Sequence, residues 1–249
     1  MIKHIVSNSG LTVVFPDGPM MIHRSSPDYP AAMQALQASD MEALRASMDR
    51  RHALSKFSEG CLSINDSGEI IFENHPIGNH LSKIIKSGTP KDSWSVIKRF
   101  LLNVLENPNQ RARLEIDSIL SECSLPITED GCILAFKLVD NEYVDPQIKT
   151  HICKPGRTLT LPRDTLHRGS KEATSRGFSA GGKSYLDANS YFCGKVVTIK
   201  INPADIVGVY LSPYKELTAS SITIVKDGVI NFTEPFYDGT TCEPIVTGR

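Results

Sequence analysis

Arg157, Arg163, Arg168, Lys171, Arg176 and Lys183 stand against only Asp164 and Glu172 in one stretch of the chain, a local charge of +4 before His167 is counted. Gly169, Gly177, Gly181 and Gly182 fall in the same stretch. Glycines expose backbone amides and arginines offer fixed donor forks, which together equip an anion or phosphate site. Arg163, His167, Arg168, Arg176, Gly177 and Lys183 are therefore the candidate ligand-binding residues. The competing reading is a surface loop with solvated charge. Gly177-Phe-Ser-Ala-Gly-Gly-Lys-Ser184 also satisfies the phosphate-loop pattern, which needs a strand before its first glycine. The preceding residues, 167–176, are polar, and the next apolar strand ends at Asn202-Pro203 without a magnesium-binding acid. The match reads as coincidence.

Other chemistry is thinner. His167 with Asp164 and Ser175 or Ser179 can be drawn as a triad, but no nucleophile-elbow sequence accompanies them. Thr174-Ser175-Arg176 invites comparison with the Ser-Thr-Ser element of ADP-ribose-transferring folds, yet no Glu-x-Glu follows. A nucleotide-binding or group-transferring enzyme built on residues 163–183 is the alternative kept open. His75 and His80 flank Pro76 at a spacing that does not match one helical face, and read as surface or capping residues. The six cysteines are scattered without a C-x-x-C pair, which points to reduced thiols and neither disulfides nor a metal site. No cofactor is expected.

Composition bounds the rest. The 249 residues are 40% apolar and 22% charged, values of an ordinary globular protein. Lysine plus arginine (27) nearly cancels aspartate plus glutamate (28), so a protein whose main task is coating nucleic acid is excluded. No apolar run approaches the ~18–20 residues that span a bilayer, and the N-terminus lacks the apolar core of a secretory signal.

The elements that must position the charged stretch follow from periodicity and turn residues. Leu11–Phe15 and residues 20–23 form a hairpin across Pro16-Asp17-Gly18. After Ser25-Ser26-Pro27 two short helices follow, with Ser39 and Glu42 at capping-box spacing. Residues 61–73 form a second hairpin across Asp66-Ser67-Gly68. Leu81, Ile84 and Ile85 mark a helix ended by Gly88. Asp92 caps the next, with Ile97, Leu101, Val104 and Leu105 on its stripe. Asn107-Pro108 ends that helix and caps another, buried through Ile116, Ile119 and Leu120. Residues 132–139 read as a buried central strand. Further strands are expected at 158–161, 195–201, 207–211 and 221–226, the last paired to 229–232 across Asp227-Gly228, with a short helix near 183–189. The fold class is α+β: an N-terminal domain of hairpins and helices over 1–124, then a β-rich domain over 125–249.

Several blocks, read in order, resemble the rIIB family of T-even bacteriophages. Phe100-Leu-Leu-Asn-Val-Leu-Glu-Asn-Pro-Asn-Gln-Arg-Ala112 is similar to the family's F-L-x-N-L-L-E-N-P-S-x-K-A. Ile127-Thr-Glu-Asp-Gly131 and Ala135-Phe-Lys-Leu-Val139 match I-T-E-D-G and A-W-K-V-V. Leu161-Pro-Arg163, Ser175-Arg-Gly177 and the block from Val197 through Asn202-Pro-Ala-Asp205 to Val207 fall where the family has M-P-R, S-R-G and V-K-V-K-V-H-P-R-D-V-V. The resemblance covers roughly residues 29–226. Departures are as informative. The helix-turn-helix-like opening of the longer members is missing from this N-terminus, so no DNA binding is expected. Thr174 replaces a frequent cysteine, and residues 178–182 replace Leu-His-Val-Cys. The resemblance implies a non-enzymatic early protein that works with an rIIA-like ATPase partner in lysis inhibition and escape from prophage exclusion. It implies the host cytoplasm, peripheral to the inner membrane through that partner.

Overall fold

The computed structural model describes residues 2–24, 26, 28–65, 67–86, 93–167, 176–211 and 215–245. The architecture is α+β, with small sheets and helices first and a large sheet afterwards. By packing the chain forms two compact units, residues 1–77 and 78–249. The change of composition at 124/125 falls inside the second unit, where a helix hands over to the first strand of the large sheet.

In the first unit β1 (His4–Val6), β2 (Gly10–Phe15) and β3 (Gly18–His23) make an antiparallel sheet in that order. Phe15 pairs with Gly18, so Pro16-Asp17 is a two-residue turn. The period of two sends Leu11, Val13, Phe15 and Ile22 into a core completed by Ala32 and Ala35 of α1 (Tyr29–Gln37) and Leu44 of α2 (Met41–Met48). The cap of α2 is Asp40, whose Oδ1 accepts from the amides of Glu42 and Ala43 at 3.1 and 3.0 Å. Ser39 stands one residue too early and takes a left-handed φ of 58°. A third helix, α3 (Arg50–Phe57), was not foreseen; it leads into β4 (Leu62–Ile64), β5 (Ile70–Phe72) and β6 (His75–Pro76). Ser58 Oγ joins them, donating to Leu54 O and accepting from Leu62 N–H. Asp66 of the expected turn and Ser25 and Pro27 of the expected break lie outside the described residues.

The second unit opens with α4 (Asn79–Lys86), α5 (Trp94–Leu105) and α6 (Gln110–Cys123). Gly88 and Asp92, the expected stop and cap, lie outside the described residues. Ile97 and Leu101 of the expected α5 stripe and Ile116, Ile119 and Leu120 of α6 are buried, whereas Val104 and Leu105 are only half-buried and Phe100 takes part in the burial of α5. Asn107 is not the cap of α6: Asn109 is, accepting from Arg111 and Ala112 amides. Asn107 lies between the caps Glu106 and Asn109 and so serves a longer-range task.

Next come β7 (Ile127–Thr128), β8 (Ile133–Val139), β9 (Thr158–Thr160), β10 (Phe178–Gly181), α7 (Lys183–Ala188), β11 (Lys195–Ile201), β12 (Ile206–Tyr210), β13 (Glu216–Ala219), β14 (Ser221–Asp227) and β15 (Phe236–Tyr237). Their order across the sheet is β12-β13-β10-β8-β11-β14-β9, with β7 beside β8 and β15 parallel to β7. The apolar run of β8 takes the centre, and β11 pairs along its whole length, from Lys195 opposite Val139 to Ile201 opposite Ile133. Residues 229–232 do not form the expected hairpin arm. β14 lies between β11 and β9, so both of its edges are occupied. Phe232 instead stacks on Phe136 with ring centres 5.0 Å apart and meets Tyr237 edge-on at 5.4 Å.

Candidate functional site

Two polar clusters lie in the second unit. The first is built on β8, whose Lys137 is 2% exposed in an otherwise apolar strand. A buried ammonium needs a counter-charge. Asp145, 1% exposed, supplies it at 2.7 Å. Asp145 is fixed by its own turn, since Oδ1 accepts the amides of Gln147 and Ile148 at 2.8 and 2.9 Å. Burial alone raises its carboxyl; the Lys137 charge and these hydrogen bonds outweigh that and hold it below the usual aspartate value. Lys137 also donates to Ser179 O at 3.3 Å, and Ser179 Oγ donates to Glu216 Oε1 at 2.6 Å. Arg176 stands 3.9 Å from the same Glu216 oxygen and 5.8 Å from the Tyr210 ring centre. Lys137, Asp145, Glu216 and Arg176 thus form a charge-balanced chain from the sheet centre to a partly exposed guanidinium. Its inner members are closed to solvent, so their chemistry is to hold β8, β10, β13 and the 140–157 loop together.

The second cluster centres on buried Asn107. Its amide donates to Pro203 O at 2.7 Å and Ile206 O at 2.8 Å, and Oδ1 accepts from Asn109 N at 2.9 Å and Arg163 Nη2 at 2.8 Å. Arg163 also donates to Ala204 O at 2.6 Å and Ile206 O at 2.9 Å. All the hydrogen-bonding capacity of Asn107 is filled. Three of the sequence blocks, Glu106-Asn-Pro108, Leu161-Pro-Arg163 and Asn202-Pro-Ala-Asp205, meet in this one joint.

The structure separates the candidate residues by task. Arg163 is committed to the Asn107 joint, and Arg176 faces Glu216. His167 is exposed after a 3-10 turn at Arg163–Thr165, and Lys183 is exposed at the start of α7. Arg168 lies outside the described residues, as do Thr174 and Ser175. Residues 178–181, which a phosphate loop would hold open, are the buried strand β10. The glycines there serve close packing: a Cβ on Gly177 would meet Ala219 O at 2.6 Å, and one on Gly182 would meet Cys123 O at 2.4 Å. Gly177 also requires its φ of 90°.

Sequence reasoning passed over Lys137, Asp145, Ser179 and Glu216. The visible signal was the single charge inside the apolar run of β8. Among the described residues, no three His, Cys, Asp or Glu side chains gather as a metal site requires. All six cysteines are free, and burial pushes the Cys153 thiol up to about 11 and the Cys132 thiol up to about 12, aided at Cys132 by Asp130. Such thiols are poor nucleophiles. No helix of the described residues is long and apolar enough to cross a membrane.

The chain is similar to protein rIIB of Enterobacteria phage T4, with 27% identity over 210 residues. The match covers 84% of this chain and 66% of that protein, just under two thirds of its length. The rIIB resemblance carried by the sequence blocks is borne out. The relative's name does not indicate an enzyme. No family model matches, and no solved structure matches.

Proposed function

We propose that this chain is an rIIB-like accessory protein without catalytic activity of its own, acting as the partner of an rIIA-like ATPase in lysis inhibition and escape from host or prophage exclusion. The observation that carries this reading is the similarity to rIIB over 84% of the chain. The use of its residues agrees with it. Three of the blocks that resemble the family meet at Asn107 and a fourth lies in the central strand, uses that build a scaffold. Arg163, one of the candidate cations of the charged stretch, directs its donors to backbone oxygens and Asn107. Action in the host cytoplasm, peripheral to the inner membrane through the ATPase partner, completes the proposal.

The test is co-expression with an rIIA-like protein. Co-elution that survives Arg176→Ala and Lys183→Ala is the expected result. Absence of co-elution overturns the partnership. Thermal stabilisation of the isolated chain by ATP or NAD, lost in either variant, would instead establish the nucleotide-using alternative at residues 163–183.

A further inference from the structure

The outer strand of the first unit is an open edge. β1 pairs with β2 on one side and with no strand on the other among the described residues. The phase of its pairing is fixed by two observations. Ser7 and Gly10 exchange both backbone hydrogen bonds, at 2.8 and 3.3 Å, and Val14 N–H donates to Lys3 O at 2.9 Å. In an antiparallel ladder bonded and non-bonded pairs alternate, so Lys3, Ile5 and Ser7 bond to β2 while the N–H and C=O of His4 and Val6 point away from it. The side chains beside this edge are aliphatic and exposed: Ile5 is 69% exposed, Val6 51% and Val14 50%. Ile5, Thr12 and Met21 follow one another in register across the sheet face opposite the core. β1 contains neither a proline nor a bulge, two of the devices that keep edge strands apart.

We propose that β1 pairs antiparallel with β1 of a second copy of this chain, about a two-fold axis at Ile5. The register is self-consistent. It sets His4 opposite Val6 twice, and the two hydrogen-bonded pairs satisfy all the outward groups of His4 and Val6 on both chains. Lys3 falls opposite Ser7, so no cation meets its own copy. An axis at Lys3 would place two lysines face to face, one at His4 would set two imidazoles opposite each other, and one at Val6 would pair His4 with Asn8 beyond the end of the strand; a register slipped by one residue would lose the hydrogen-bond phase. Ile5 meets Ile5 of the second copy as a non-bonded pair, the closer of the two pair types. The row Met21, Thr12 and Ile5 then continues into its mirror sequence, and two three-stranded sheets become one continuous sheet. A contact this small is weak, so association belongs at about 10–100 μM chain.

This inference does not depend on the rIIB reading. Sedimentation equilibrium of the full chain tests it, with Ile5→Lys, Ile5→Glu and an equimolar mixture of the two. Ile5 is exposed, so circular dichroism of both variants should match the wild type. The expected result is a concentration-dependent mass reaching two chains for the wild type, one chain for each variant alone, and two chains again for the mixture. Ile5→Cys should also cross-link to a two-chain species under oxidation and release it on reduction, because a non-bonded pair places Cα atoms about 4.5 Å apart, within disulfide range. A wild type that stays at one chain throughout overturns the proposal, as does Ile5→Lys associating like the wild type. Failure of the mixture to recover two chains overturns the two-fold at Ile5. Capture of the rIIA-like protein by the Ile5→Lys variant reports separately on the partnership.

Discussion

At the scale of single residues, the balance between burial and pairing decides what Lys137 and Asp145 contribute. The Asp145 carboxyl titrates below its unfolded value of about 3.9. Its pair therefore stabilises fully above that pH, and the contribution is lost as pH falls through the lower folded pKa. Asp145→Asn leaves Lys137 an unpaired buried charge, so urea unfolding at pH 7 should show a loss of about 3–5 kcal/mol. The same variant should lose less than the wild type between about pH 4 and pH 2, since the group responsible is gone. A parallel contrast separates packing from ligand chemistry in the glycine run. Gly182→Ala drives a methyl against Cys123 O and should cost about 1–3 kcal/mol, whereas Lys183→Ala, at an exposed site, should stay within about 0.5 kcal/mol. A larger effect of Lys183→Ala on stability would contradict the packing account. Lys137 was legible in the sequence as a charge in an apolar run, but its counter-ion was not. Asp140, Glu142 and Asp145 all follow within a few residues, and only the turn closed by the Gln147 and Ile148 amides selects the last.

At the scale of elements, α4 is held by a cap from another helix. Asp117 of α6 accepts the amides of His80 and Leu81 at 2.9 and 3.0 Å, satisfying donors that the first turn of α4 leaves open. Gly78 makes room for it, since a Cβ there would meet Asp117 Cγ at 2.0 Å. Asp117→Ala should destabilise by about 1–2 kcal/mol and speed amide exchange in α4 specifically, and exchange that stays unchanged there would refute the cap. The periodic helices and the first hairpin were readable because a buried stripe or alternation is local information. The caps were not: Ser39 for Asp40 and Asn107 for Asn109 are errors of one and two positions. In the second, the sequence shows two adjacent asparagine candidates around Pro108 and no sign of which is claimed by a strand far away. The 229–232 arm failed similarly, because its alternation suits a strand but β9 already occupies the free edge of β14.

At the scale of the whole molecule, stability is graded. β8 is flanked by strands on both sides and buried at every position but Leu138, while β1 and β6 lie at sheet edges and are exposed. Native-state hydrogen exchange should find its slowest amides in β8 and β11 and its fastest strand amides in β1 and β6. Equal protection in β1 and β8 at dilute concentration would contradict this gradient. The α+β class was legible because hairpin signals, helical stripes and β-branched runs occur in blocks. The packing division at 77/78 was not, because composition reports where helix gives way to strand and carries no record of which helices lie against which sheet. The candidate site was least legible of all: its clusters join residues from distant segments, and of the charged stretch Arg163 enters one cluster, Arg176 reaches the other, and His167 and Lys183 stand exposed.

The Asn107 joint has a consequence for synthesis of the chain. Its amide reaches carbonyls 96 and 99 positions further on, so the connection between α5 and α6 emerges from the ribosome long before its acceptors exist. At about 5–20 residues per second, the helical segment waits on the order of 5–20 s with a polar knot unmade and its apolar stripes uncovered. Nascent-chain handling, more than the finished protein's stability, is where substitutions at Asn107 will first be felt.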